Sequence, residues 1–374
     1  GCLAGQYLHA QGIDVVPHDL GMITATACLA HDIGNPPFGH SGEDAIKEWS
    51  AENLSTLSDT WELTDLLHYE GNAQGLRILT RLEAWQRYGG LRTTLSTLAA
   101  FIKYPCSSIE SDPSLNQISQ KKFGFFKDDI GSFSEIFDGL SIPKKSGTKH
   151  SYSRHPLAFL TEAADDICYA VVDLEDAYHL GITSFPIVKD LLGSVAEKDF
   201  SFSDDESYEN EIRLARFRSA AISALVKQTI EVFIERLSQI ESFTYEKSLI
   251  SEIKDHHLYE KIKKYSFESV YSAPRVMEIE SAGFTAIRGL LNIFIPSITT
   301  DAPNRYQLMT RSIIPQSCLH RREKMIKTNS NEELIRNLSQ YERILSITDY
   351  ISGMTDRYII ELYQRLSGIK LPEY

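Results

Sequence analysis

The run Gly34-Asn35-Pro36-Pro37 restricts what this chain can fold into more than any other feature. Two consecutive prolines fix φ, withdraw two backbone donors and push the residue before them out of the α region, so neither a helix nor a central strand can pass through. On the N-terminal side, residues 18–30 form a small and apolar stretch of helical length (Leu20, Met22, Ile23, Ala27, Leu29) that must stop at this loop. On the other side, Ser41-x-x-Asp44 has capping-box spacing with Asp in place of the usual Glu, and predicts a helix that begins at Ser41.

Helical periodicity recurs over about 66–87, 157–180, 208–237, 245–264, 274–294 and 332–366, and strand signals are scarce. The pair Gly89-Gly90 and the tract 107–149, rich in Ser, Lys, Asp and Gly, interrupt the helices. That tract reads as a long insertion with freedom to be mobile, not as a linker, because chemically suggestive residues lie on both sides of it. The expected fold class is all-α. A single domain is expected, with a core over 1–106 and 150–180 that carries the chemically suggestive residues, the insertion 107–149, and a helical C-terminal part over 181–374.

Charge limits the partners. Asp and Glu number 51 against 38 Lys and Arg, a formal net charge of −13, whereas backbone phosphates call for a basic surface; nucleic-acid binding as the main task loses weight, and single-stranded DNA is not indicated. A polyphosphate would have to be held by a few placed cations. No uninterrupted apolar run approaches the roughly 18 to 20 residues that span a bilayer, so no membrane partner is expected. The first ten residues lack a secretory pattern, and five scattered cysteines form no C-x-x-C pair; a reducing, cytoplasmic setting fits.

His31-Asp32 sits where the first apolar helix ends. Neighbouring side chains about 100° apart can both turn toward one ion, and imidazole with carboxylate suits Mn, Fe, Co, Ni, Mg or Zn. His18-Asp19 is a second such dipeptide, but it follows a proline and reads as a helix start with Asp near the helix dipole. Farther along, Asp165, Tyr169 and Asp173 fall at i, i+4 and i+8, one polar stripe, while Ile167, Val171, Val172 and Leu174 point largely elsewhere. Asp166, one step along, is the rival of Asp165.

The segment from Ala27-Cys28-Leu29-Ala30-His31-Asp32 through Gly34-Asn35-Pro36-Pro37-Phe38-Gly39-His40 to Glu43 closely resembles the signature of the HD-domain deoxynucleoside triphosphate triphosphohydrolases, the dGTPase family. Glu70-Gly71-Asn72-Ala73-Gln74-Gly75, Lys103-Tyr104-Pro105, Glu162-Ala163-Ala164-Asp165-Asp166-Ile167-Cys168-Tyr169 and the block Asp349 to Arg357 resemble further family blocks in the family's order. The resemblance implies an HD-domain helical core with helical elaborations. It also implies a divalent metal, Mn or Mg first and Co, Ni, Fe or Zn as alternatives, on His31, Asp32 and Asp165. It places Tyr169 beneath the sugar and Asp173 on the 3′-hydroxyl, and implies a homo-oligomer, with a hexamer as one form.

The rigid loop returns His40 toward the end of the preceding helix, and Glu43 is near enough in sequence to orient its ring. With an ordinary pKa of about 6.5, such a His can protonate a departing 5′-oxygen. Lys103 reads as a triphosphate contact and Tyr104 as packing on the nucleoside, against an exposed Lys with a core Tyr. Asn72 and Gln74 can hydrogen-bond substrate or a water. Arg357 reaches the nucleotide or a neighbouring subunit in one reading and forms a surface ion pair in the other. His155 reads as a helix-start residue and His68 as core packing.

The function expected is metal-dependent hydrolysis of a dNTP, dGTP first, to the deoxynucleoside and inorganic triphosphate. The alternatives are another HD phosphohydrolase, such as a 5′-nucleotidase or phosphodiesterase, and a non-catalytic nucleotide- or single-strand-DNA-binding HD protein. The family pattern begins with one more His, in an Arg-x-x-His-Ser/Thr context that neither His9 nor His18 has. The resemblance therefore implies that a fourth ligand, with a nearby phosphate-binding Arg, lies upstream of Gly1.

Overall fold

Caps and breakers, more than propensity, decide where helices start and stop. Asp59 caps the helix Thr60–Leu67 through its carboxylate on the Trp61 and Glu62 amides. His155, its Nδ1 accepting from the Leu157 amide, caps the 24-residue helix Pro156–His179, with Pro156 in the first turn where a missing N–H costs nothing. The helix Pro17–Ala30 carries Asp19 in its first turn, as read from the sequence. The computed structural model describes residues 1–54, 57–84, 89–198, 202–320 and 330–371. Among the described residues the only β pairings outside helices are two isolated bridges, Ser107 with Phe125 and Lys144 with Tyr152, so the chain is all-α.

Two long stretches divide more finely than periodicity suggests. The stretch 332–366 is three helices, Asn331–Arg336, Gln340–Ser352 and Asp356–Leu366, because Ser339 and Glu342 form a capping box and Thr355 caps the last helix. The stretch 66–87 comprises the end of Thr60–Leu67, the helix Gly71–Arg77 and a π-helical turn Ile78–Leu82; residues 85–87 lie outside the described residues. The helix expected from Ser41 begins at His40 and runs to Asn53, with Gly39 at the N-cap and no side-chain cap. Ser41 instead donates to the Glu280 carbonyl at 3.3 Å, which leaves its capping box unformed.

The chain divides into two compact units. One comprises residues 1–29, 99–103 and 154–278. In it the helix Asn210–Glu235 packs on Phe185–Ala196 and on Pro156–His179, burying Leu214, Phe217, Ala221 and Leu225 with Val188, Leu192, Val171 and Leu174. The other comprises residues 30–98, 104–153 and 279–374. Its core joins Ile46, Trp49, Leu66 and Tyr69 to Ile287, Leu291, Phe294, Ile344, Ile347 and Ile351.

The tract 107–149 belongs to this second unit and carries its own buried aromatic cluster. Phe125 stacks on Phe133 with centroids 3.8 Å apart, and Phe137 stacks on Tyr152 at 5.0 Å. Phe123, Phe125, Phe126, Phe133 and Phe137, bunched in one part of an otherwise polar tract, build this core, and a composition average over the whole tract hides it. The helix Pro274–Thr299 is the one described helix long and apolar enough, by length and composition, to cross a membrane. It is no unbroken apolar run, since it contains Arg288 and Asn292, and its Ile287, Leu290, Leu291, Phe294, Ile295 and Ile298 are buried in the second unit's core.

Candidate active site

His31 and Asp32 follow the last turn of Pro17–Ala30, where the Ile33 amide closes on the Ala30 carbonyl and the Asn35 amide on the Asp32 carbonyl. His31 Nε2 lies 2.9 Å from Asp32 Oδ2, and Asn35 Nδ2 donates to Asp32 Oδ1 at 2.7 Å. Two donors at right angles, each about 2.1 Å from one cation, would lie about 3.0 Å apart. The pair's separation is compatible with two ligands of one divalent ion and equally with a hydrogen-bonded ion pair, and its nitrogen and oxygen donors suit such an ion.

Glycines bring the loop onto the helix Gly71–Arg77. A Cβ on Gly34 would lie 2.0 Å from the Gly75 amide nitrogen and 2.2 Å from the Gly71 carbonyl oxygen, so the loop touches the Gly71–Arg77 helix backbone to backbone. Phe38 and Gly39 then take successive left-handed conformations, φ 62° and 56°, and the chain enters the next helix at His40.

His40 Nδ1 meets Glu43 Oε2 at 3.2 Å, and Glu43 Oε1 accepts from the Gly71 amide at 2.7 Å. Glu43 is buried while His40 stands in solvent. The Glu43 hydrogen bond raises the His40 pKa above its usual value, against the opposing effect of desolvation. Burial of Glu43 pushes the other way, but His40, Lys122 and the Gly71 amide outweigh it and hold that carboxyl below its usual range. Glu70, also buried, accepts from Asn72 Nδ2 at 2.6 Å and from Lys122 Nζ at 3.0 Å; burial and the charge of Glu43 push it up.

The first unit supplies the acidic stripe. Along Pro156–His179, Ile167, Val171 and Leu174 are buried, whereas Asp165, Tyr169 and Asp173 keep part of their surface. Lys103 is 8% exposed and forms a short ion pair with Asp165 Oδ2. Asp166 has the opposite surroundings, since burial and the charges of Glu162 and Asp165 push it up to about 7. Asp173 Oδ2 accepts from Tyr271 Oη at 2.6 Å, and the Tyr169 and Tyr271 rings lie 5.7 Å apart. Burial raises the Asp173 carboxyl despite that hydrogen bond. Among the described residues no group of three His, Cys, Asp or Glu side chains forms a ready metal cluster.

The comparisons join these local sites to a known sequence family. Residues 254–365 match the family described as Phosphohydrolase-associated domain. A Synechocystis protein named deoxyguanosinetriphosphate triphosphohydrolase-like protein is 37% identical over 362 residues, covering 94% of this chain and 78% of that protein. The chain belongs to the deoxyguanosinetriphosphate triphosphohydrolase family. A Pseudomonas aeruginosa protein with the same name is 32% identical over 366 residues, covering 95% of this chain and 79% of its own. A Salmonella schwarzengrund protein named deoxyguanosinetriphosphate triphosphohydrolase is 29% identical over 427 residues, 97% and 81%.

In this member of the family, several residues singled out by motif are held in the interior. Gln74 is fully buried and donates to Asp349 Oδ1 at 3.0 Å. Asp349 in turn accepts from Arg77 Nε and Nη2, both at 2.7 Å, while Arg77 Nη1 donates to Asp129 Oδ2 at 2.8 Å. Ser352 Oγ lies 2.6 Å from Tyr69 Oη. Tyr104 is buried in the second unit. Arg357 is exposed and pairs with Glu361 one turn along its helix at 2.8 Å, the surface ion pair of the second reading. His68, expected in the core, is exposed at the C-cap of Thr60–Leu67 because the chain turns there toward Gly71.

Two residues next to the candidate groups escape motif reading, Tyr271 and Lys122, while Asp356 lies in the 349–357 block but has no role assigned to it there. The π-helical turn Ser266–Val270 that delivers Tyr271 to Asp173 has no composition signal, although such turns gather at functional sites. Lys122 stands in a polar tract where nothing marks it for Glu70.

Proposed function

We propose that this chain hydrolyses a deoxynucleoside triphosphate, dGTP first among them, to the deoxynucleoside and inorganic triphosphate. The observation that carries the reading is the turn ending in His40, a solvent-facing imidazole whose Nδ1 is held by the buried Glu43, eight residues beyond the His31-Asp32 pair. The names of the relatives support the substrate class.

In this reading His31, Asp32 and Asp165 hold a divalent metal, Mn or Mg before Co, Ni, Fe or Zn. When bound, it supplies Lewis acidity toward the α-phosphoryl oxygens and the attacking water. The chain's own residues do the rest. Glu43 occupies His40 Nδ1 and stabilises the imidazolium, so Nε2 is the nitrogen that delivers a proton to the departing 5′-oxygen. Lys103, beside Asp165, brings one of the few cations an acidic protein can offer to a triphosphate. Tyr169 packs beneath the sugar, and Asp173, oriented by Tyr271, accepts from the 3′-hydroxyl. Asn72 and Gln74 act through the carboxylates they hold, Glu70 and Asp349. Tyr104 packs on the nucleoside, and Arg357, on the surface beside Glu361, reaches the nucleotide or a neighbouring subunit. We read the protein as a cytoplasmic homo-oligomer; its five free cysteines support the compartment and the family resemblance supports the assembly.

Incubation with each dNTP and Mg or Mn, followed by phosphorus NMR of the product, tests the proposal. Tripolyphosphate is expected. Monophosphate or orthophosphate would assign another HD phosphohydrolase, and salt-dependent DNA affinity without turnover would assign a binding protein.

A further inference from the structure

The loop that delivers His40 is held in a costly conformation by residues far along the chain. Phe38 has φ 62°, a left-handed geometry that is unfavourable for a bulky residue and persists only where the surroundings impose it. Three contacts within the second unit impose it. Asp356 Oδ1 accepts from the Phe38 amide at 2.9 Å. A Cβ on Gly283 would sit 2.2 Å from the Phe38 ring, so the ring lies in the place a side chain would take. The Ser41 hydroxyl donates to the Glu280 carbonyl, tying down the first turn after the loop. On the other side of the loop, a Cβ on Gly42 would lie 2.2 Å from the Pro37 carbonyl oxygen, so the loop cannot relax toward its own helix.

Gly283, Glu280 and Asp356 all fall within residues 254–365, the segment matched as phosphohydrolase-associated, yet none of them contacts His40 in these interactions. We propose that Asp356 and Gly283 are positioning residues for His40: they clamp Phe38 so that the imidazole enters its helix in register with Glu43. The inference rests on the reading of His40 as the proton donor. It gives this part of the associated segment a task in the reaction, exerted through the backbone of residues 38–40.

The clamp predicts coupling. Asp356→Ala removes the acceptor of the Phe38 amide, and we expect kcat to fall about ten- to a hundredfold, the scale on which an ångström of misplacement acts, with KM little changed. Asp356→Asn retains an acceptor oxygen and should restore most of the rate. Gly283→Ala, which displaces the ring, should reproduce the defect. In a His40→Ala background the Asp356→Ala change should cost nothing further, since there is no imidazole left to position. Multiplicative losses in that double variant would overturn the proposal.

A second readout is independent of turnover. The charged groups acting on His40 are Glu43, Glu70 and Lys122, with Glu43 dominant. NMR titration of His40 in the full chain should therefore show its pKa falling toward 6.5 in Asp356→Ala as the ring leaves Glu43. An unchanged His40 titration would refute the clamp even in an enzyme with another substrate. Failure of the unaltered chain to release triphosphate would sink the proposed reaction and leave this titration to judge the clamp.

Discussion

Replacing Glu43 by Gln separates the two jobs of one carboxylate. Oε1 accepts from the Gly71 amide at 2.7 Å and Oε2 meets His40 Nδ1 at 3.2 Å. Gln keeps the shape and an acceptor for Gly71, but turns an NH2 group toward the imidazole, which then prefers to be neutral. The size of the effect follows from exposure. The His40 side chain is 79% exposed and that of Glu43 only 3%. An ion pair with one end in water is worth roughly 0.2 to 1 kcal/mol, against about 1.4 kcal/mol for one pKa unit, so the His40 pKa should drop by roughly half a unit.

Protonated His40 is the active form in the proposed reaction, and its pKa is raised. The His40 contribution to turnover is therefore full below that pKa and lost as pH climbs through it, and the comparison of variant with natural chain cancels the titration of the metal ligands that both share. In the variant the loss should begin roughly half a pH unit earlier. On the falling limb this makes the variant roughly threefold slower than the natural chain, while at low pH the two converge. The assay is kcat at saturating dGTP over a pH series, read by triphosphate release. Slowing by one constant factor at every pH would refute the argument and reduce Glu43 to a support of the Gly71 turn. Glu43→Ala is the complement, since it also strands the buried Gly71 amide and should cost about 1 to 3 kcal/mol in urea unfolding, which Glu43→Gln should not.

Asp32→Ala should abolish both stoichiometric Mn binding, measured by calorimetry, and dNTP hydrolysis; a variant that keeps both removes this residue from the metal site. Tyr169→Ala should narrow the preference for dGTP over GTP, and an unchanged ratio of kcat/KM values would move sugar selection elsewhere. Asp349→Ala strips a fully buried Arg77 of a two-pronged partner and should cost about 3 to 5 kcal/mol of unfolding free energy; a loss under about 1 kcal/mol would mean that Asp128 and Asp129 suffice. Burial lifts the Asp65 carboxyl to about 7 despite donors from Ser108, Tyr341 and the Lys127 amide. That contribution is complete below about pH 4 and is lost as pH rises to about 7, so stability should decline across this window and the decline should flatten in Asp65→Asn.

Features that depend on short stretches of chain are legible without coordinates. The all-α class, the stop at Gly34-Asn35-Pro36-Pro37, the His155 cap and the division of Pro156–His179 into an apolar face and an acidic stripe all follow from proline sterics, caps and a 3.6-residue period, which act within a few residues. The contact of His40 with Glu43 is equally local, three residues apart on one helix. Which polar members of the motifs face inward is set by long-range packing. Gln74 and Asp349 stand in blocks that look alike in chemistry to those of His31 and Asp165, yet Gln74 is taken up by Asp349, and Asp349 by Arg77, 272 residues away in the chain. The same holds for Asp356 on Phe38 across 318 residues, for Tyr271 on Asp173 across 98, and for the rings hidden in 107–149. A sequence window reveals that a side chain is charged or aromatic. Its partner is chosen by which distant segment the packed core brings alongside, and the cost of burying a charge unpaired then makes that choice binding.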